Sequence, residues 1–498
     1  MENGTDMKNR VARTLKWNTL DKIATQCLYA VTGIILAREL TEEEFGLVGA
    51  ILVFQSFATL FVDSGFSYAL LQRKRPTEDD YSTILWFNLG VATLCYIVLA
   101  LGAPLIADIF ENDERIIPLS RVMFLTFILN AAAIVQTNRR IKLMDVKMVT
   151  VSNTLGLLAG SVAGIYMALT GWGAWALVWQ AVINSGVKTL ILWVADTWRP
   201  KLVFSFSILR SFFHVGSGVF GTSFLNVLFQ NIYSFFIGNR VGLFSLGYYY
   251  QADKWSKMGV ASLSAIFTQS FLPLLSEYQD NPERYAATTS RINRFASYIV
   301  FPAFGLLIVM ATPIFHVLFG TKWDPSIILF QLLLIRGIFT ILVTLYHNYV
   351  MSLGKSRLMV VSEIIRDGTA LLAIFITLPY IALTTPDDIT LGVTIFLWGQ
   401  IIASVIAWAV MLVIAARTSW STPWRFLSDS LPYAVLSLLI VCALFFMRPW
   451  LGGPWMQLII MTLLGLGAYI AVNRLLGSRI QREVLAYIGA RLPRFNRL

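Results

Sequence analysis

Residues 325–352 read PSIILFQLLLIRGIFTILVTLYHNYVMS, an apolar stretch with a single formal charge at Arg336. A helix needs roughly 20 apolar residues to cross the hydrocarbon core of a bilayer, and this stretch is longer than that. Its apolar residues run continuously and do not alternate with polar ones, as they would in a membrane β-strand. Because a helix satisfies its own backbone hydrogen bonds in lipid, the stretch predicts a membrane-spanning helix.

The same pattern recurs through the chain and determines its composition. Of the 498 residues, 57% are hydrophobic and 13% are charged, and the mean hydropathy is +0.68. In soluble domains about a quarter of the residues are charged. The composition therefore excludes a soluble enzyme, a disordered scaffold and a small secreted domain held by disulfides.

Hydropathy predicts an all-α polytopic membrane protein with about fourteen spans. Their predicted bounds are 15–38, 44–70, 82–108, 117–137, 148–170, 173–195, 208–238, 243–273, 293–320, 325–352, 358–380, 388–416, 429–448 and 454–475. Several are well above the ~20-residue minimum, which predicts tilted or bent helices.

Lysine and arginine are concentrated in alternate connections between these spans. Residues 73–75, 139–147 and 474–497 belong to the basic set, whereas 42–44 and 111–114 belong to a set with acidic runs. Cytoplasmic connections are the ones enriched in basic residues, so both termini are predicted to lie in the cytoplasm. We assign the net charge of +11 to this topology and to anionic lipids, and expect no nucleic-acid partner.

Two segments at an offset of 201 residues begin similar units. IILARELTEEEFG at Ile34–Gly46 aligns with FFIGNRVGLFSLG at Phe235–Gly247. In both, a helix ends, a turn follows and a glycine opens the next helix, which predicts parallel repeats with a cleft between two lobes. The predicted domains are an N-terminal six-helix lobe at 1–200, a C-terminal six-helix lobe at 201–420, two additional spans at 421–478 and a basic amphipathic cytoplasmic tail at 479–498.

Charged residues inside the spans carry the functional signal. A charge at the bilayer centre costs about 2.5–3.5 kcal/mol on insertion scales, so each predicts a bundle interior or a watery cavity. Lys254 and Lys257 lie near the middle of the eighth span and share a helix face. Either both face a substrate, or Asp253 neutralises Lys257 and that pair is structural. Lys22 in the first span either lines the cleft or reaches the membrane surface.

The tenth and eleventh spans also carry charges. Arg336 lies near mid-depth, and Glu363, Arg366 and Asp367 cluster on adjacent turns. Arg336 and Arg366 are candidate substrate-binding residues together with the three lysines. For Arg366 a structural ion pair is the alternative interpretation, and Glu363 could instead reach across to Arg336.

Carboxylates within the spans are candidate coupling or gating groups, namely Asp63, Asp253 and Glu363. A pair between Asp63 and Lys22 explains Asp63 equally well. Fixed cations in a hydrated cleft attract a carboxylate, phosphate or pyrophosphate and repel a cationic drug. The cargo is therefore predicted to be anionic.

The sequence contains no pattern typical of catalysis or metal binding. Cys27, Cys95 and Cys442 are odd in number and lack CxxC spacing, so they predict neither a disulfide framework nor a zinc site. Gly354 begins a short Gly-Lys-Ser segment, but Tyr349 stands where a phosphate-binding loop needs its first glycine. We therefore expect no catalytic residues, no metal and no cofactor.

Several short motifs, in this order and spacing, resemble the Wzx-type polysaccharide flippases. They are Glu44-Phe45-Gly46 at the start of span two, Gln136-Thr137-Asn138-Arg139-Arg140 after span four, Leu246-Gly247-Tyr248-Tyr249 with Ala252 in span eight, and Phe271-Leu272-Pro273 with Ser276 at its end. These flippases belong to the multidrug/oligosaccharidyl-lipid/polysaccharide exporter superfamily, and the chain is most similar to the WzxC-like lipopolysaccharide branch.

This resemblance implies a transporter of the bacterial plasma membrane that flips undecaprenyl-pyrophosphate-linked oligosaccharide by alternating access. Its implied partners are that glycan, membrane lipids, a polysaccharide polymerase and glycosyltransferases. In related lipid flippases a cationic cavity is lined mainly by helices one, two, seven and eight. Lys22, Lys254 and Lys257 match that pattern by helix, whereas Arg336 and Arg366 lie outside it.

Three other functions compete with this interpretation. A drug or cation antiporter of the same superfamily would require unpaired acidic residues at mid-depth. A membrane-embedded glycosyltransferase or ligase would require a large external loop, and the predicted connections are short. A membrane scaffold that recruits glycan enzymes would use the basic loops and not the buried lysines.

Overall fold

The computed structural model describes residues 4–63, 66–384 and 391–483. Some side chains inside helices also lie outside the described part, among them those of Asp21 and Asp63. The described residues form α-helices and short 3₁₀ turns without β-strands, which confirms the all-α prediction.

The first nine helices are α1 (Gly4–Glu39), α2 (Glu42–Asp63), α3 (Phe66–Gln72), α4 (Glu78–Leu101), α5 (Ala103–Ile109), α6 (Ile116–Met123), α7 (Leu125–Lys142), α8 (Val146–Leu169) and α9 (Trp175–Ala195). The remaining helices are α10 (Phe206–Arg240), α11 (Leu243–Glu277), α12 (Pro282–Val309), α13 (Ala311–Leu318), α14 (Asp324–Ser352), α15 (Ser356–Thr377), α16 (Leu391–Thr418), α17 (Pro423–Met447) and α18 (Pro454–Leu475).

Each predicted span lies on one of these helices or on two successive ones. Span three is divided into α4 and α5 at Gly102, because Pro104 cannot continue the preceding helix. Eleven described helical stretches are long and apolar enough to cross a membrane, so the chain is a multi-pass membrane protein. Three long helices, α1, α10 and α15, are outside that set, and the number of fourteen spans stays a prediction.

Polar caps start several helices in the basic connections. Thr77 and Asp80 form a reciprocal capping box at α4, in which Asp80 N donates to Thr77 Oγ1 over 3.2 Å. Asn281 accepts from Arg284 N at 3.1 Å before α12, and Thr422 accepts from Arg425 N at 3.3 Å before α17. These side chains satisfy backbone N–H groups that a helix start leaves without a partner.

The chain divides into two compact units, Met1–Tyr250 and Gln251–Leu498. The division falls within α11, so the first unit contains α10 and the first turns of α11. The predicted lobe bounds at residues 200 and 420 stay a prediction.

Glycine allows a close contact between two helices of the first unit. Gly156, Gly160 and Gly164 recur every fourth residue on α8 and face α9. A Cβ atom on Gly160 would lie 2.5 Å from the carbonyl oxygen of Gln180. Small residues at such spacing let membrane helices approach through their backbones, where packing replaces the hydrophobic effect.

Ion pairs join the helix ends beside the basic connections of the first unit. Arg139 contacts Asp196 at 2.8 Å, and Arg140 contacts the same buried carboxylate at 3.5 Å. Arg73 contacts buried Asp80 at 3.1 Å. The arginines of the motif after span four therefore stabilise the helix ends at this face.

In the second unit, buried polar groups join α12 to α17. Asp429 contacts Ser290 at 2.5 Å and Arg294 at 3.3 Å, while Asn293 donates to the Phe426 carbonyl at 2.9 Å. Helix α15 instead packs on α16 through Gly399, whose added Cβ would lie 2.7 Å from the Thr377 methyl group. Polar contacts and small residues thus substitute for an apolar driving force between these helices.

Gly160→Leu should lower the free energy of unfolding because its side chain would collide with the Gln180 backbone. We expect a cost of about 1–3 kcal/mol, the range for overpacking. The measurement is the thermal midpoint in detergent. Gly90→Leu is the matched control, since no atom lies within 4 Å of a Cβ built on Gly90. Equal midpoints for both variants would contradict the packing role.

Candidate functional site

Lys254 and Lys257 lie within the membrane-spanning part of α11. Counting from Leu243, they lie about 16 and 21 Å along the helix axis at 1.5 Å per residue. Lys257 Nζ lies 2.6 Å from Asp253 Oδ2, in an i,i+4 ion pair. The structural interpretation of that pair therefore agrees with the geometry, and the pair has no net charge.

Lys254 is held differently. Its Nζ lies 5.9 Å from the centroid of the Trp255 ring, and the side chain is half-buried. Among the residues whose side chains are described, no carboxylate lies within ion-pair distance of this ammonium group. An aromatic face offsets only part of the cost of a desolvated cation, so Lys254 supplies uncompensated positive charge.

Arg336 lies on α14, which packs against α11. A Cβ on Gly337 would lie 2.6 Å from a methyl group of Val260, and Asn348 Nδ2 donates to Thr268 Oγ1 at 3.1 Å. Because both numbers increase together, the two helices run parallel. Arg336 therefore lies at about the level of Val260, one turn from Lys257.

The guanidinium of Arg336 also lacks a carboxylate at ion-pair distance within the described part of the chain. The structure thus brings Arg336 close to the level of Lys254 and Lys257 on adjacent helices. The sequence had predicted mid-depth positions for all three residues, but not that α11 and α14 are neighbours, because no local pattern indicates which helices pack together.

Arg366 has carboxylate partners on its own helix, α15. Its Nη1 lies 3.4 Å from Glu363 Oε1, and its Nη2 lies 3.0 Å from Asp367 Oδ1. Two carboxylates against one guanidinium leave this cluster with a net negative charge. The geometry supports the structural interpretation of Arg366. The sequence left open whether Glu363 contacts Arg336 on another helix, and in the structure Glu363 contacts Arg366 on its own helix.

The remaining candidates belong to the first unit. Lys22 is exposed on α1. The side chain of Asp63 lies outside the described residues, so the proposed pair between them stays a prediction. Each unit therefore contributes candidates, and the second unit holds Lys254, Lys257 and Arg336.

Sequence reasoning missed one feature beside Lys254 and a separate one in the first unit. The ring of Trp255 lies near the ammonium group of Lys254. The adjacent positions of the two residues in the sequence were the available signal. In the first unit an apolar pocket of ≈ 310 Å³ lies between α2 and α10. Its lining residues include Phe54 and Phe57 on one helix and Phe235 on the other, with Asn231 as the polar member. Phenylalanines spaced three apart on α2 were the available signal.

The described residues bring no three His, Cys, Asp or Glu side chains together at metal-binding distance. The arrangement offers cations in a membrane interior, which can bind an anion without covalent chemistry.

Comparison with known proteins identifies the family. The polysaccharide biosynthesis protein family matches residues 35–328, more than half of the chain. The chain belongs to that family, which confirms the resemblance to polysaccharide flippases.

Curated relatives agree with this assignment. The lipopolysaccharide biosynthesis protein WzxC of Escherichia coli K12 is 23% identical over 82% of this chain and 82% of its own length. The succinoglycan biosynthesis transport protein ExoT of Rhizobium meliloti 1021 is 26% identical over 66% of this chain and 67% of its own length. The teichuronic acid biosynthesis protein TuaB of Bacillus subtilis 168 is 24% identical over 69% of this chain and 71% of its length.

Solved structures share the fold. The lipid II flippase MurJ in an inward closed conformation has a TM-score of 0.70 at 14% identity and covers 94% of this chain and 100% of its own. An inward-facing multidrug resistance transporter of the MATE family has a TM-score of 0.56 at 16% identity and covers 82% and 95%.

Arg366→Gln should destabilise the protein because it leaves the carboxylates of Glu363 and Asp367 without their cation. We expect a loss of about 1–3 kcal/mol in unfolding free energy, measured as a thermal midpoint. Adding Asp367→Asn should recover most of that loss. A stable double variant that has lost transport would contradict a structural role and indicate that Arg366 contacts the cargo.

Proposed function

We propose that this member of the polysaccharide biosynthesis protein family flips an undecaprenyl-pyrophosphate-linked oligosaccharide across the bacterial plasma membrane by alternating access. The observation that carries the proposal is that Lys254 and Arg336 lie in membrane-spanning helices and have no carboxylate at ion-pair distance among the described side chains. A cation at this depth is costly unless it faces water, a counter-ion or an anionic ligand.

The chemistry of the cargo follows from that charge. A pyrophosphate carries negative charge on several oxygens and can contact a lysine and an arginine together. Lys254 and Arg336 would hold the pyrophosphate, and Lys257 would join them when its pair with Asp253 exchanges. The lipid tail remains in the bilayer throughout, while the polar head passes from one side to the other. No bond forms or breaks, so the proposed role is transport and not catalysis.

The energy source would be the membrane potential or an ion gradient. A change of protonation or ion occupancy at Asp63, Asp253 or Glu363 would then bias which side the site faces. Asp253 is the best placed of these, because its carboxylate already contacts Lys257. Lys22 and Arg366 are retained as further candidates for contact with the head group.

A multidrug or cation antiporter of the same superfamily is the second candidate. One observation favours it: the cluster of Glu363, Arg366 and Asp367 has a surplus carboxylate. A cationic drug would, however, meet Lys254 and Arg336 at the proposed site. We therefore favour the anionic cargo.

The proposed topology places both termini in the cytoplasm and the acidic connections outside. In this arrangement the two six-helix lobes at 1–200 and 201–420 would carry the transport cycle. A polysaccharide polymerase and glycosyltransferases are the proposed partners, since their substrates and products are lipid-linked glycans.

Replacing both Lys254 and Lys257 by Ala should reduce flipping by at least about tenfold, corresponding to the loss of about 1.4 kcal/mol or more of head-group binding. Arg336→Gln should act in the same direction, and Lys254→Arg should retain activity. The measurement is flipping of a labelled undecaprenyl-pyrophosphate oligosaccharide in proteoliposomes. Lys201→Ala, at an exposed ion pair with Asp79, is the control. Full activity of a folded double variant would remove the head-group proposal.

The topology can be tested with single cysteines in a background without Cys27, Cys95 and Cys442. Glu114 and Lys74 are both exposed and lie in connections of opposite charge type. An impermeant maleimide added to intact spheroplasts should label Glu114→Cys and should leave Lys74→Cys unlabelled until the membrane is opened. The reverse labelling pattern would contradict the proposed orientation.

A further inference from the structure

A pocket in the second unit lies where α11, α12 and residues 478–483 meet. Its volume is ≈ 570 Å³, within the range of about 300–1,000 Å³ that is usual for ligand pockets. Phe271, one of its lining residues, lies about 25 Å beyond Lys254 along the axis of α11, at 1.5 Å per residue. The pocket is therefore separate from the candidate site.

One end of the pocket is apolar. Phe271 belongs to the predicted span 243–273, and Phe295 belongs to the predicted span 293–320. The centroids of their rings are 6.0 Å apart in an edge-to-face arrangement, and Leu274 also lines the pocket. Because these residues lie at the ends of membrane-spanning segments, this part of the lining suits a hydrocarbon chain.

The opposite end of the pocket is polar. Tyr278 directly follows α11, and Thr288 and Arg291 lie on α12 before its predicted span begins. Glu483 lies in the basic segment 474–497. The polar end is therefore at the face of the membrane that the topology predicts to be cytoplasmic.

This division of the lining matches an amphiphile. A water-soluble ligand would have to bury polar groups against phenylalanine rings, which costs free energy where no hydrogen bond replaces water. A lipid matches both ends, since its chain can lie beside the phenylalanines and its head group can lie beside Arg291 and Glu483. The lipid would belong to the cytoplasmic leaflet, because that is where the polar end lies.

The polar end carries one cation and one anion. Arg291 Nη2 lies 2.8 Å from Glu483 Oε2, and Arg291 Nε donates to the same oxygen at 2.9 Å. The two side chains are 65% and 47% exposed. Exposed ion pairs contribute only about 0–1 kcal/mol to stability, so a ligand can replace either partner at little cost.

The signs of these two charges select the head group. A purely anionic head group at Arg291 would lie beside the carboxylate of Glu483 and be repelled by it. A head group with a phosphate and a primary ammonium can contact the guanidinium with one group and the carboxylate with the other. This exchange replaces one ion pair by two and leaves no charge without a partner. A quaternary ammonium has no N–H group and could not donate to Glu483.

We propose that this pocket is a binding site for phosphatidylethanolamine of the cytoplasmic leaflet. One hydrocarbon chain lies beside Phe271 and Phe295, the phosphate binds Arg291 and the ammonium binds Glu483. The lipid then joins α12 to residues 478–483 in place of the direct ion pair. The site does not depend on the identity of the transported glycan.

Native mass spectrometry of the delipidated full chain tests the lipid preference. Phosphatidylethanolamine, phosphatidylglycerol and phosphatidylcholine with identical acyl chains are added in turn. We expect phosphatidylethanolamine to bind at least about fivefold more tightly than either other lipid, because it alone forms charge-assisted hydrogen bonds with both side chains. Equal binding of the three lipids, or tighter binding of phosphatidylglycerol, would overturn the proposal.

Substitutions at the polar end test the two contacts separately. Arg291→Gln and Glu483→Gln should each lower the affinity for phosphatidylethanolamine by at least about fivefold. Both side chains are exposed, so neither change should unfold the protein, and the thermal midpoint checks this. The variant Arg291→Lys/Glu483→Asp keeps both charges and should keep the lipid preference. Tighter binding of phosphatidylethanolamine to Glu483→Gln would show that the carboxylate only competes with the phosphate, and would contradict the ammonium contact.

The apolar end is tested by Ile292→Trp, which fills the pocket and leaves both charges in place. This variant should also bind phosphatidylethanolamine at least about fivefold more weakly. The matched control is Glu277→Gln/Arg284→Gln, which removes one acid and one base that are exposed near the pocket but do not line it. The control should bind the lipid as the unchanged protein does. An equal loss in the control would mean that the charges of the connection, and not the pocket, attract the lipid.

Undecaprenyl pyrophosphate distinguishes a leaflet lipid from the proposed cargo lipid. It should displace phosphatidylethanolamine from the pocket no better than phosphatidylglycerol does, because it lacks an ammonium group for Glu483. Strong displacement that is lost in Arg291→Gln would assign the pocket to the cargo lipid and reject the proposal. Either result leaves the test of Lys254 and Lys257 in flipping unaffected, so the two proposals can fail independently.

Discussion

The cost of an uncompensated charge in hydrocarbon is the constraint on which the interpretation depends. Lys257 meets this cost locally, since Asp253 lies one turn away on α11. Lys254 and Arg336 have no such partner among the described side chains, and they lie on adjacent parallel helices. Cations in that position lower the stability of the protein, so we expect them to have a function. The function that their charge allows is the binding of an anion.

The second constraint is that helices in a bilayer gain no hydrophobic energy by contacting each other. The described interfaces therefore use glycine for close approach and buried polar groups for attraction. Helices α8 and α9 meet along three glycines, whereas α12 and α17 are joined around Asp429. Glycine also allows a short, close backbone contact between the start of α2 and the start of α11, where a Cβ on Gly46 would overlap the carbonyl oxygen of Leu243 and one on Gly247 would overlap that of Glu42.

Hydropathy predicted the helices well because one helix must supply enough apolar length to cross the core. Span 325–352 corresponds to α14 at Asp324–Ser352, and span 454–475 corresponds to α18. The break at Gly102 was readable from Pro104, but the break between α6 and α7 at Phe124 has no proline or glycine beside it that could have indicated it.

The candidate site was predictable only where its contacts are local. The pair of Asp253 and Lys257 follows from i,i+4 spacing, as does the cluster around Arg366. The level of Arg336 beside α11 depends on which helices pack together, and a single sequence contains no record of that. The backbone contact between Gly46 and Leu243 could not be predicted for the same reason. The alignment of Ile34–Gly46 with Phe235–Gly247 did, however, place Gly46 and Gly247 at equivalent positions.

The charged cluster on α15 has a consequence for biosynthesis. With Glu363, Arg366 and Asp367 in its middle, α15 is not among the helices that are apolar enough by composition to cross a membrane. Helix α16 follows after a short connection and packs against it through Gly399. Because charges at the centre of a span make insertion costly, we expect α15 to enter the membrane together with α16, as a hairpin, and not by itself.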